Sequence, residues 1–84
     1  MTGGESVKVC YFAQLREAAA LNEEACAIDN GETGLSLYLR LAEKYLFTLR
    51  PNELRLAINE KFMPIEARLR SGDRVAFIPP VAGG

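Results

Sequence analysis

The feature that most constrains the fold is the C-terminal stretch 75–84, which contains no charged or hydroxyl side chain. It begins with four apolar residues, 75–78, a run typical of a buried strand. The two prolines that follow have no amide proton and cannot continue a strand ladder. Chain ends without an anchor are usually polar, because they lie in water. We therefore predict a buried last strand that presents an extended functional tail, residues 79–84.

The chain before this tail alternates strand patterns with helix patterns. Strands are predicted at 7–12, 23–29, 54–59 and 74–78, with a short edge segment around Phe62-Met63. Strong helix formers at 13–20 predict one or two helical turns. A main helix is predicted to begin after the N-cap Thr33 and to end near Phe47. The apolar residues that recur in it at spacings of three and four are Leu35, Tyr38, Leu39, Ala42, Tyr45 and Leu46. Leu37 and Leu41 widen the apolar face of this helix.

This order of elements in 84 residues predicts one α+β domain of the β-grasp type. We expect a mixed sheet of four to five strands, with the first and last strands as parallel central neighbours and the main helix across one face. Residues 1–6 are predicted to be a flexible leader and 7–78 the folded domain. If Val75 and Phe77 enter the core beneath the helix, Ile78 and Phe12 lie on the opposite face. That exposed apolar patch is a predicted partner-binding site.

Composition excludes several classes of function. The net charge of −1 and the pI of about 5.4 argue against a nucleic-acid partner. There is no histidine, so metal sites and histidine-dependent nucleophiles are excluded. No apolar run reaches the roughly 20 residues of a membrane helix, and the polar first residues do not resemble a signal peptide. We expect a cytoplasmic protein that binds no metal or cofactor, with Cys10 and Cys26 as small buried hydrophobic residues in a reducing compartment, unless pairing of their strands allows a disulfide.

The C-terminal carboxylate of Gly84 remains as the candidate reactive group. A carboxylate is a poor electrophile, but adenylation gives it a good leaving group, and a sulfur donor then converts it to a thiocarboxylate. Gly83 and Gly84 have no Cβ, so this end of the chain fits a narrow tunnel in another protein. Pro79 and Pro80 restrict φ and favour an extended path, which reduces the entropy lost on binding. The apolar Val81-Ala82 segment adds contact area.

Three blocks of the sequence resemble the family of small, sulfur-carrier subunits of molybdopterin synthase. They are Val-Cys-Tyr-Phe-Ala-Gln-Leu-Arg-Glu at 9–17, Leu-Ala-Ile-Asn at 56–59 and Leu-Arg-Ser-Gly-Asp-Arg-Val-Ala-Phe-Ile-Pro-Pro-Val-Ala-Gly-Gly at 69–84. The third block is the most specific. The resemblance covers about residues 7–84 and implies a ubiquitin-like β-grasp fold, in agreement with the order of elements.

The resemblance also implies a reaction cycle and its partners. An ATP-dependent adenylating enzyme activates Gly84, and a sulfurtransferase supplies the sulfur of the thiocarboxylate. The tail, Pro79, Pro80, Val81, Ala82 and Gly83, then inserts into the large subunit, where sulfur passes to cyclic pyranopterin monophosphate. Two small and two large subunits form a heterotetramer in which the small subunit is a non-catalytic sulfur donor.

Other readings of the same terminus stay open. The chain is alternatively a sulfur carrier for thiamine synthesis or tRNA thiolation, a ubiquitin-like protein modifier, or a structural adaptor. Arg16 is either a contact to an acidic group of the partner or a solvated helix residue.

Overall fold

The structure, a computed structural model, describes residues 4–80. Two helices and five strands are present in this part of the chain. They are β1 (Glu5–Tyr11), α1 (Ala13–Ala19), β2 (Glu23–Ile28), α2 (Gly34–Tyr45), β3 (Arg55–Ile58), β4 (Lys61–Met63) and β5 (Arg74–Ile78). A 3₁₀ turn, Pro51–Glu53, precedes β3. The first strand begins two residues before its predicted start, so Glu5 and Ser6 belong to β1 rather than to a leader.

The strands form one mixed sheet in the order β2-β1-β5-β3-β4. The two central strands β1 and β5 are parallel, with Val9 opposite Val75 and Tyr11 opposite Phe77. The remaining pairs are antiparallel. A parallel pair requires a crossover connection, and α2 lies within that connection. The predicted β-grasp, with the first and last strands as parallel central neighbours, is confirmed.

The hydrophobic core lies between α2 and one face of the sheet, which we call the inner face. Val9, Val75 and Phe77 of the central strands are fully buried. From α2, Leu37 and Tyr38 enter the same core, and the Tyr38 ring lies 5.2 Å from the Phe77 ring. The prediction that Val75 and Phe77 face the helix is therefore confirmed.

The buried face of α2 differs from the predicted one in two positions. Leu39 and Leu46, both assigned to the apolar stripe, are 51% and 80% exposed. The burial is centred on Leu37, Tyr38 and Leu41, and at 3.6 residues per turn Leu39 points away from them. Leu46 lies beyond the helix end, where it is the left-handed C-cap with φ of 61°. The helix therefore ends at Tyr45, two residues before the predicted end.

The start of α2 is fixed by its cap, as predicted. The Thr33 hydroxyl oxygen accepts a hydrogen bond from the Ser36 amide at 3.1 Å, and the Ser36 hydroxyl accepts one from the Thr33 amide at 3.1 Å. Two of the otherwise unpaired amides at the helix start are satisfied in this reciprocal arrangement.

The first residue of α2, Gly34, has no room for a side chain. A Cβ at this position would lie 2.5 Å from Cδ2 of Leu56 and 2.9 Å from the carbonyl oxygen of Ile65. We expect Gly34→Ala to lower the free energy of unfolding by about 2 kcal/mol, the usual size of an overpacking effect. Urea unfolding measures this, with Gly4→Ala as the control because no atom lies within 4 Å of its Cβ position. Equal stability of the two variants would contradict the packing at Gly34.

An ion pair between the buried Glu32 and the half-exposed Arg40 joins the turn after β2 to α2. Only 5% of the Glu32 side chain is exposed, and its carboxylate accepts hydrogen bonds from Nη2 and Nε of Arg40 at 2.9 and 3.1 Å. The Asp29 amide and the Ser36 hydroxyl donate to the same carboxylate. Burial by itself raises the pKa of Glu32, but these hydrogen bonds outweigh it and hold the pKa below its usual value.

We expect Glu32→Gln to lower the free energy of unfolding by about 2 kcal/mol at neutral pH, a typical value for hydrogen bonds to a charged group. Because folding lowers this pKa, the pair stabilises fully above the ordinary carboxyl pKa of about 4.3 and loses its effect as the pH falls through the folded-state pKa. Urea unfolding at neutral and acid pH measures the change, with the exposed Glu66→Gln as control. A stability difference that does not shrink in acid would contradict the pairing.

The two cysteines lie on opposite faces of the sheet. Cys26 is opposite Val7 in the β1–β2 register and packs against the core, whereas Cys10 is opposite Glu23 on the other face. Both are free thiols. Both are half-buried rather than buried as predicted. The alternative of a disulfide between them is wrong, because the sheet separates them.

Candidate docking face and tail

The sheet face opposite α2, here called the outer face, carries a groove whose floor is made of small residues. Cys10, Ala76 and Ala57 follow one another across β1, β5 and β3 in the strand register, and Phe62 of β4 stands next to Ala57 at the side of this floor. Because two alanines lie at the centre of this row, the surface is concave there, with a volume of about 320 Å³. We call this the outer-face groove, and it is lined by Cys10, Phe12, Ala57, Glu60, Phe62, Arg74, Ala76 and Ile78.

Two exposed aromatic rings border this groove. Phe12 is 45% exposed and Phe62 is 64% exposed, and large apolar side chains in water are informative when they line one concavity. Phe12 is the N-cap of α1 rather than a strand residue, because β1 ends at Tyr11. The prediction that Phe12 and Ile78 share the exposed face opposite the helix is confirmed, since both line the groove. What binds there remains a prediction.

The tail leaves the domain at the same end of the sheet as Phe12, because β1 and β5 are parallel. Pro79, the first residue after β5, is buried, and the exposed part of the tail begins at Pro80. Val81, Ala82, Gly83 and Gly84 lie outside the described residues, and their predicted roles stay predictions. The outer-face groove therefore lies beside the point from which the predicted reactive end departs.

A hydrogen-bond network anchors this end of the central strands. The hydroxyls of Tyr11 and Tyr45 both donate to Oε2 of Glu24, at 2.5 and 2.7 Å. Burial, together with the hydrogen bond to Glu24, raises the pKa of Tyr11 far above its usual value, so this hydroxyl stays a donor at physiological pH. Tyr11 is opposite Phe77 in the register. The network thus fixes the strand ends that present Phe12 and Ile78.

The charges of the outer face are arranged unevenly. Lys8 and Arg74 both lie near Glu23, at 3.6 and 3.7 Å, at the end of β5 away from the tail. Arg55 lies opposite Ile78 in the β3–β5 register, with its guanidinium 5.2 Å from the centre of the Phe62 ring. Sequence reasoning did not assign Arg55 or Phe62 to the site. The signal that could have found them is the turn after β3, which places Phe62 opposite Ala57 once the hairpin register is known.

Residues 4–80 contain no candidate metal site and no candidate membrane helix. This part of the chain contains no group of three or more histidine, cysteine, aspartate or glutamate side chains that could hold a metal ion. Neither of its helices is long and apolar enough to cross a bilayer. Arg16 is exposed on α1, and its predicted contact to a partner stays a prediction.

Known proteins are similar to this chain over most of its length. The family model described as the ThiS family matches residues 9–84. The molybdopterin synthase sulfur carrier subunit of Haemophilus influenzae is 35% identical over 81 residues, which cover 93% of this chain and 99% of that protein.

Two solved structures that are similar to this chain come from proteins with different names. One is a complex of subunits 1 and 2 of the molybdopterin-converting factor from Helicobacter pylori, matched with a TM-score of 0.64 and 25% identity over 94% of this chain and 99% of that one. The other is small archaeal modifier protein 1 from Methanosarcina acetivorans, with a TM-score of 0.74 and 26% identity over 99% of this chain and 100% of that one. Because the family match extends from the middle of β1 to the last residue, the chain belongs to the ThiS family.

Proposed function

We propose that this chain is the sulfur carrier subunit of a molybdopterin synthase. The observation that carries the proposal is the apolar outer-face groove beside the exit of a tail that ends in Gly83-Gly84. The likeness to the Haemophilus influenzae carrier subunit over almost the whole of both chains supports this choice of pathway. In this proposal, the domain docks through the groove and delivers the tail to an active site in the partner.

Gly84 carries the chemistry in this proposal. Its carboxylate attacks the α-phosphorus of ATP in an adenylating enzyme, forming an acyl-adenylate and releasing pyrophosphate. A sulfide equivalent from a sulfurtransferase then attacks the acyl carbon and displaces AMP, which leaves a thiocarboxylate. This sulfur passes to cyclic pyranopterin monophosphate in the large subunit. The present chain binds no cofactor of its own, and ATP is used only by the activating enzyme.

The large subunit is the proposed occupant of the outer-face groove. Phe12, Phe62 and Ile78 present apolar area around its floor, as is typical of the anchors of a protein interface. Pro80 is already exposed, so the tail can extend from the groove into the partner. We propose a heterotetramer of two small and two large subunits. The complex of the two Helicobacter pylori subunits, to which this chain is similar, supports pairing with a large subunit.

We propose that this cycle takes place in the cytoplasm. The support is that Cys10 and Cys26 are free thiols, which a reducing compartment maintains.

Reconstitution tests the proposed function. The chain in its thiocarboxylate form is mixed with the large subunit from the same organism and cyclic pyranopterin monophosphate, and dithiolene formation is followed by mass spectrometry. We expect product in proportion to the thiocarboxylate added, and none with the unmodified carboxylate form. Failure of the thiocarboxylate form to give product with a large subunit that works with its own carrier would contradict the proposal.

A second candidate function is protein modification, which the likeness to the archaeal modifier supports. The same activated Gly84 would then form an isopeptide bond with a lysine of another protein. Incubation of tagged chain with extract of its own organism and ATP separates the two functions. A modifier gives covalent adducts of higher mass that survive thiols, whereas a sulfur carrier gives none.

A further inference from the structure

Arg55 differs from the other cations of the outer face in its surroundings. Within residues 4–80, the ion pairs of this face join Lys8 and Arg74 to Glu23, and Arg55 takes part in neither. Instead, its guanidinium lies over the Phe62 ring at 5.2 Å. A planar guanidinium on an aromatic face keeps its five donors directed at solvent, so it is held in place without being neutralised.

The position of Arg55 places this charge within the proposed docking area. Arg55 is the cross-strand neighbour of Ile78, the last residue of β5 before the prolines. Phe62, on which it lies, is itself a wall of the outer-face groove. A protein that covers Phe62 and Ile78 therefore also removes water from Arg55.

The energetics of this desolvation limit what the partner can be. A charge taken out of water without a partner costs several kcal/mol, more than an apolar contact of this size returns. The groove lining contributes one carboxylate, Glu60. Glu60 lies in the turn that follows the last residue of β3, whereas Arg55 is the first residue of β3, so the two lie at opposite ends of this strand. Neutralisation of Arg55 must therefore come from the other protein.

We infer that the partner docked on the outer-face groove presents a carboxylate side chain to Arg55, next to the apolar segment that contacts Phe62 and Ile78. This inference rests on the proposed function and adds the chemistry of the partner surface to it. Because guanidinium and carboxylate pair in a fixed fork geometry, the contact also sets the orientation in which the tail is delivered. Arg55 is thus a specificity residue of the interface and does not touch the reacting atoms.

Binding of Arg55 variants to the purified large subunit from the same organism tests this inference by isothermal titration calorimetry. Arg55→Met keeps an apolar side chain of similar length over Phe62 but removes the charge, and Arg55→Glu reverses it. We expect the dissociation constant to rise about 30-fold for Arg55→Met, the lower end of the range for truncated partners of buried interface charge pairs, and about 100-fold for Arg55→Glu. Arg68→Glu, an exposed arginine outside the groove lining, is the matched control and is expected to stay within twofold of wild type.

Three outcomes test the inference separately from the proposed docking. Weakened binding of both Arg55 variants, with the control unchanged, supports a partner carboxylate. Equal or tighter binding of Arg55→Met and Arg55→Glu, while Ile78→Asp still loses affinity, overturns the carboxylate and leaves docking through the groove in place. Wild-type affinity of the Ile78→Asp chain and of both Arg55 variants contradicts the proposed docking itself. Circular dichroism of each variant confirms that the domain is folded.

Discussion

Deletion of Gly83 and Gly84 is expected to reduce dithiolene formation to the level measured without the small subunit, while the thermal stability of the domain stays unchanged. The tail ends in these residues, and every reactive step of the proposed cycle takes place at the carboxylate of Gly84. The described core residues all lie between Val7 and Phe77. Removal of two residues beyond Pro80 therefore takes no side chain from it.

The reconstituted synthase measures this effect, with the deleted chain taken through the same activation step. Deletion of Thr2 and Gly3 at the other end of the chain is the control, because it also removes two residues but leaves the tail intact. Sulfur transfer by the chain without Gly83-Gly84 would exclude the terminal carboxylate as the carrier group. A purely structural adaptor predicts that this deletion has no effect on function.

Ile78→Asp is expected to weaken association with the large subunit about 100-fold, which corresponds to about 2.7 kcal/mol. Ile78 lines the outer-face groove at the exit of the tail, so a docked partner would bury a new carboxylate against an apolar surface. The domain is expected to stay folded, because Ile78 is only partly buried at the end of β5 and is absent from the core.

Titration calorimetry measures the affinity, and urea unfolding checks the stability of the variant. Leu39→Asp is the matched control, since Leu39 is an exposed apolar residue on α2, on the other side of the sheet from the groove. We expect wild-type affinity for this control. If Ile78→Asp binds as tightly as Leu39→Asp, the outer-face groove is not the docking surface.

Local patterns predicted the parts of the fold that depend on neighbours in sequence. The bounds of β5, the cap at Thr33 and the short edge strand at Phe62 each follow from a few consecutive residues. The apolar stripe of α2 was predicted too wide, because a leucine in the sequence looks the same whether it is buried or exposed like Leu39 and Leu46. Which side of the helix is buried depends on where the sheet lies, and no local pattern contains that information.

The candidate docking face was predicted only in part for the same reason. Alternation along β5 was enough to place Ile78 on the exposed side, and alternation along the predicted first strand placed Phe12 on that side. Phe62 joins the groove, and Arg55 comes to lie beside it, only through the pairing of β3 with β4 and β5, which is a long-range arrangement. The pairing of the buried Glu32 with Arg40 was missed because a glutamate in a turn is usually solvated.

The central claim, that Gly84 carries sulfur as a thiocarboxylate, is tested most directly by the intact mass of the chain. The purified protein is incubated with the adenylating enzyme of its own organism, ATP and a sulfide donor, and then weighed by electrospray mass spectrometry. We expect the mass increase of one oxygen replaced by sulfur, located at Gly84 by fragmentation and absent when ATP is withheld. An unchanged mass, with an enzyme shown to adenylate its own carrier, would contradict the account.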